Sequence, residues 1–125
     1  MNYEFRDSEE SKRNNITYHL AIVEEWTGQK DTESYTPGAF EQDGFIHCTN
    51  GLDQLVEVAN MFYTNSPEPR TVLVLEVDKI ESEVRYDDPD QRFPHIYGVL
   101  NPSAVVAELP VRREEDGTFV QLGNG

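Results

Sequence analysis

The run Thr71-Val72-Leu73-Val74-Leu75-Glu76-Val77 constrains the fold most strongly. It is nearly continuous in apolar residues, which suits a central strand buried on both faces. A second run, Ile16-Thr17-Tyr18-His19-Leu20-Ala21-Ile22, alternates and is rich in β-branched and aromatic residues, so it reads as another strand. One face of it carries Ile16, Tyr18, Leu20 and Ile22. The other carries Thr17, His19 and Ala21, so His19 is expected to point away from the most apolar face.

Further strands are expected at Gly44 to Thr49, at Val84-Arg85-Tyr86, at Ser103 to Val111 and, after an Asp116-Gly117 turn signal, at Phe119-Val120. The strongest helical pattern runs from Leu52 to Tyr63, with Leu52, Leu55, Val56, Ala59, Phe62 and Tyr63 on one stripe. Thr49 or Asn50 is placed to cap it. A shorter helix around Trp26 is expected to end near Gly28, and Pro37-Gly38-Ala39-Phe40 marks a turn. Asn65 to Arg70 and Asp87 to Pro94 read as loops. Strands outnumber helices without alternating regularly with them, so the fold class is α+β, a small sheet with a few helices.

The chain has 125 residues, enough for one domain with its own core. Residues 1–15 show no hydrophobic period and read as a flexible tail, residues 16–122 as a single domain and residues 123–125 as a C-terminal tail. There are 24 acidic against 10 basic residues, for a net charge of −14. Such a surface repels nucleic-acid phosphates and anionic membranes, so neither DNA nor a membrane is an expected partner. Cys48 is the only cysteine, which excludes an internal disulfide and a thiolate metal cluster. It alternates with His47 and reads as a small buried hydrophobe. Without a signal-peptide pattern or a membrane-length apolar run, the expected location is the cytoplasm.

Three histidines carry the candidate chemistry. Imidazole transfers protons near neutral pH, binds metals and hydrogen-bonds ribose or phosphate oxygens. His19 lies within a strand, His47 ends a strand just before a helix, and His95 follows a proline. The setting of His47 is the most suggestive, because the first amides of a helix are unpaired and its dipole is positive there. His47, Thr49 and Asn50 would supply a ring, a hydroxyl and an amide to an anion at that point. Tyr97 could donate its phenol to the same ligand. The histidine spacings are long and no His-x-His pair appears, so no metal site is expected.

The strings Tyr18-His19-Leu20-Ala21, Gly44-Phe45-Ile46-His47-Cys48-Thr49, Ala59-Asn60-Met61-Phe62 and Phe93-Pro94-His95-Ile96-Tyr97-Gly98 resemble the domain of unknown function 952 family. Tyr35, Val84-Arg85-Tyr86 and Asp116-Gly117-Thr118-Phe119 also fit, whereas Val99 stands where a proline is expected. The match spans about residues 17 to 120. The resemblance implies a fold similar to ADP-ribosyltransferases, a split sheet around an NAD-binding cleft. It implies that His19 contacts a nicotinamide ribose and that His47 lies near the nicotinamide. His95 is added to them as a third catalytic candidate from its motif. Two departures stand out: Leu20 follows His19 where a glycine is usual, and no residue matches the glutamate used by many such enzymes. Similar RNA 2′-phosphotransferases work without that glutamate, using histidines and arginines, and Arg85 and Arg92 are local positive charges. The expected function is a histidine-lined cleft for NAD or a related nucleotide, extending to ADP-ribosyl or phosphoryl transfer. The alternatives are a non-catalytic module binding a protein or small metabolite, and a metal-dependent hydrolase.

Overall fold

In the computed structural model, which describes residues 2–124, the apolar run forms a central strand, β3 (Arg70–Glu76), flanked by β1 (Ile16–Ile22) and β6 (Val105–Leu109). Both pairings are antiparallel. Val72, Leu73, Val74 and Leu75 are all fully buried, as a two-faced central strand requires. On one face, Tyr18, Leu20, Val72 and Val74 pack with Leu52, Leu55 and Ala59 of helix α4 (Leu52–Phe62) and with Phe119 and Leu122. On the other, Ala21, Leu73 and Leu75 pack with Trp26, Tyr35, Ile46, Ile96 and Leu100.

That second core shows what the alternation of β1 did not. Thr17, His19 and Ala21 turn away from α4 as expected, but they are buried as well, and within the strand only Ile22 is partly exposed. The reason is a second sheet that covers them, formed by β2 (Ile46–His47), β5 (Pro94–Tyr97) and β4 (Glu83–Tyr86) in that order. Ile46 and Ile96 face inward, while His47 and His95 stand opposite each other on the outward side.

Further expectations are corrected. The segment read as a flexible tail contains helix α1 (Ser8–Arg13), started by an Asp7 side chain that accepts from the Glu10 amide. Tyr3 and Phe5 pack on the first core, and Tyr18 O–H donates to the Tyr3 carbonyl. At the other end, Gly123 N–H donates to the Pro110 carbonyl and Asn124 bonds the Glu4 carboxylate, while Met1 and Gly125 lie outside the described residues. Helix α4 is capped neither by Thr49 nor by Asn50: its cap residue is Gly51, and the Leu52 and Asp53 amides donate to the Phe5 and Arg6 carbonyls. Phe62, expected on the buried stripe, is 66% exposed.

The strand expected over Ser103 to Val111 is broken. A 3-10 turn occupies Pro102–Ala104, and Pro110, which has no N–H to donate, separates β6 from β7 (Val111–Arg113). β7 leaves the first sheet and pairs with β8 (Phe119–Leu122) as a hairpin. Two short helices complete the chain, α2 (Val23–Thr27), ending at Gly28, and α3 (Phe40–Asp43).

Candidate functional site

The two sheets meet at a single bridge, where Tyr18 N–H donates to the Thr49 carbonyl at 3.0 Å and Thr49 N–H donates to the Tyr18 carbonyl at 2.8 Å. If the ladder continued, Leu20 would face His47. Instead the His19 ring takes the His47 carbonyl through Nδ1 at 2.7 Å. Leu20 lies two residues from Tyr18, so its backbone N–H and C=O point the same way, toward the gap. Beyond the bridge the strands diverge, and a cleft of about 110 Å³ opens along the edge of β1.

A carbonyl only accepts, so Nδ1 of His19 carries the proton, and Nε2 accepts from the Tyr35 hydroxyl at 2.9 Å. Burial pushes the His19 pKa down to about 4, against the bond to the His47 carbonyl, with smaller help from His47 and Arg70. The ring is therefore neutral at physiological pH with both nitrogens held by the protein. It fixes the mouth of the split and forms part of the cleft wall.

Leu20 and Ile22 line one side of the cleft, Phe45, His47 and Thr49 the other, and Leu55, Val58 and Tyr63 close it from the α4 side. Arg70 brings the positive charge. It is half-buried, lies with its guanidinium 4.2 Å from the centre of the Tyr63 ring and donates to the Ser66 hydroxyl at 3.1 Å. Its Nε is buried with no hydrogen-bond partner. Glu25 is the carboxylate of the cleft, and its Oε2 accepts from the Gly38 amide at 3.1 Å.

On the outward face of the second sheet, Phe45 stacks on His95 with ring centres 3.9 Å apart and meets His47 edge-on at 4.7 Å. Nε2 of His47 bonds Asp43 at 2.9 Å, and Nδ1 of His95 bonds Asp87 at 2.9 Å. Tyr97 O–H donates to the same Asp87 oxygen, and these two bonds hold the Asp87 carboxyl below its usual range, Tyr97 contributing more. Arg85 lies over the Tyr97 ring and pairs with Glu83.

The expected residues thus divide. His19, His47 and Thr49 meet at the cleft. His95 and Tyr97 lie on the outward face, reached from the cleft through Phe45 and His47. Asn50 is turned elsewhere, donating to the Tyr86 hydroxyl and the Gln91 carbonyl. The anion site expected at the start of α4 is corrected, because its first two amides, of Leu52 and Asp53, already donate to the Phe5 and Arg6 carbonyls. Arg92 donates to Gln54, away from the cleft. Cys48 is buried, and burial raises its thiol pKa well above the ordinary value. Among the described residues, no group of three or more His, Cys, Asp or Glu side chains could hold a metal. Among the described residues, no helix is long and apolar enough to cross a membrane.

Arg70 is the residue sequence reasoning missed. It ends the polar Pro-containing segment, Asn65 to Arg70, that reads as a loop. Its one local signal is that it directly precedes the apolar run. Phe45 had a clearer signal, since alternation places it on the face of His47.

The sequence profile described as "Protein of unknown function (DUF952)" matches residues 21–108, and the chain belongs to this family. The crystal structure of protein CC0527 from Caulobacter crescentus, a structural-genomics target, is similar with a TM-score of 0.70 and 23% identity, covering 84% of this chain and 93% of that one. The solution structure of the same protein gives a TM-score of 0.65 at 24% identity, covering 82% and 90%. These likenesses establish a shared fold. No curated protein matches the chain.

Proposed function

We propose that the cleft binds a small anionic ligand of nucleotide type, with NAD and ADP-ribose as the chemistry to try first. The observation that carries this reading is Arg70, whose buried Nε has no partner at the cleft of a protein with net charge −14. An unpaired buried donor is costly, and a phosphate oxygen would satisfy it with a charge-assisted bond. The edge of β1 adds a second element. The Leu20 N–H and C=O form an adjacent donor and acceptor, the complement of a primary carboxamide such as that of nicotinamide. Phe45 and Tyr63 offer ring faces and edges for a base.

This reading keeps the resemblance to ADP-ribosyltransferases but changes the part of His19. Its nitrogens are both engaged, so it acts as a positioning residue that props the split open and presents Leu20. The cleft of about 110 Å³ is small beside the roughly 300–1,000 Å³ of pockets that enclose drug-sized ligands. One end of a nucleotide enters, and the remainder lies across the mouth. In the enzymatic form of this reading, His47 is the proton acceptor for ADP-ribosyl or phosphoryl transfer. Its Nε2–H is tied to Asp43, leaving the Nδ1 lone pair for the reaction.

The second reading, a non-catalytic binding module, has its own support: all three histidines are hydrogen-bonded within the protein. Titration calorimetry in chelator-containing buffer tests ligand binding, and a turnover assay with any ligand found separates the two readings. ADP-ribose is expected to bind with a submillimolar Kd. Arg70→Gln removes a charge-assisted bond of about 1.5–3 kcal/mol and should weaken binding roughly 10- to 100-fold. No heat at millimolar NAD or ADP-ribose, with the protein folded, would rule against nucleotide binding.

A further inference from the structure

The outward face of the second sheet holds an arrangement that anchoring a nucleotide on Arg70 does not need, and a metal bound there takes the His47 Nδ1 lone pair in place of the proton-acceptor role. His47 and His95 are direct cross-strand partners, with ring centres 5.5 Å apart and planes inclined at 75°. The flanking bonds define the pair. Ile46 and Ile96 are also partners, and Cys48 N–H donates to the Pro94 carbonyl, so the ladder bonds fall on either side of His47 and His95. This makes them a non-hydrogen-bonded pair, the register in which cross-strand side chains approach most closely.

Each ring is also fixed in tautomer by a carboxylate. Nε2–H of His47 donates to Asp43, which leaves Nδ1 as the lone pair. Nδ1–H of His95 donates to Asp87, which leaves Nε2 as the lone pair. Among the described residues, neither of those lone-pair nitrogens has a protein hydrogen bond. Phe45 stacks on the face of the His95 ring with planes 16° apart, which fixes the ring's plane. Metal-ligating histidines characteristically donate their second ring N–H to a carboxylate, which sets the orientation and raises the basicity of the ligating nitrogen. Both rings of this pair carry that support.

We propose that His47 and His95 form a two-histidine site for a divalent transition-metal ion, with Asp43 and Asp87 as its orienting carboxylates. The spacing fits. With metal–nitrogen bonds of about 2.0–2.1 Å, two imidazoles on one tetrahedral ion have centroids roughly 5 Å apart. The remaining positions on the ion are filled by water or by an incoming donor, so the ion exchanges readily. Two neutral imidazoles select borderline transition metals over magnesium or calcium, with copper(II) bound more tightly than zinc. The site rests on the register and the dyads and is independent of Arg70.

The test uses full-length protein freed of metal with chelator and exchanged into non-coordinating buffer. It is titrated calorimetrically with Cu2+ and Zn2+, and the copper-loaded protein is examined by electron paramagnetic resonance. One ion per chain is expected, with a micromolar or tighter Kd for Cu2+, weaker binding of Zn2+, and nitrogen hyperfine structure from two imidazoles. His47→Gln and His95→Gln should each weaken binding at least tenfold, and Asp87→Asn by about 10-fold or more. Arg70→Gln should leave it unchanged. The His47 side chain is 52% exposed and that of His95 17%, so circular dichroism of each variant is recorded first as the check that it folds. No saturable binding below millimolar metal overturns the proposal. So does binding that survives the double variant His47→Gln/His95→Gln.

Discussion

Acidification from pH 7 to pH 4 is expected to remove about 3 kcal/mol of folding free energy through His19 alone. In the folded protein its pKa is lowered to about 4 from an ordinary 6.5, with burial as the main cause. Between those values the unfolded chain holds a proton that the folded protein does not. The stabilising contribution is therefore fully present above pH 6.5 and is lost as pH falls toward 4. Carboxylates titrate over part of the same range, so the measurement is a comparison. Urea unfolding of the native protein and of His19→Gln, followed from pH 7 to pH 4, should show a native slope steeper by about 1.4 kcal/mol per pH unit, one proton's worth. Parallel slopes would refute this account of His19, as would an imidazolium His19 seen by nitrogen NMR at pH 5.5.

Gly51→Ala is expected to cost at least about 3 kcal/mol, although it adds one methyl group. Gly51 has φ +87°, where a side chain is strained, and an added Cβ would lie 2.7 Å from the Ser8 amide nitrogen and 2.9 Å from the Asp7 carbonyl carbon. Those contacts are backbone and cannot move alone. Relief requires shifting α1, and with it the Phe5 and Arg6 carbonyls that cap α4. The variant should lose stability in urea unfolding and lose amide-exchange protection at Leu52 and Asp53. A loss below about 1 kcal/mol would mean that the N-terminal segment contributes little to this end of the fold.

The legible parts of the fold were those with a local cause. Alternation over Ile16 to Ile22 and the apolar run from Thr71 located two strands of the first sheet, and helical spacing located α4. The N-terminal helix had local signals too: Asp7 as cap, Glu9 and Glu10 in the first turn, Lys12 and Arg13 in the last. They were hidden because so short a helix has no apolar period of its own. Its order depends on Tyr3 and Phe5 reaching a core built by residues far along the chain.

The site was legible to a lesser degree, for the same physical reason. The period of a strand identified the face of His19 but not the second sheet that covers it. The position of Thr49 and Asn50 before α4 suggested a cap, but backbone carbonyls from the N-terminal segment occupy that role. Arg70 becomes a candidate ligand group only through Tyr63, Ser66 and the divergence of β1 from β2. Each of these is a relation between distant segments. His47 was found by its own setting at the end of a strand, yet its pairing with His95 is set by sheet register.

The central claim is that the gap between the two sheets binds a nucleotide-like anion with Arg70 as its anchor. Amide and guanidinium chemical-shift mapping during titration with ADP-ribose, in chelator-containing buffer, tests it most directly. The account predicts saturable shifts at Leu20, Ile22, Thr49 and the Arg70 Nε–H, with little change at Asn50 or along β7 and β8. Shifts confined to other surfaces, or none at millimolar ligand, would contradict it.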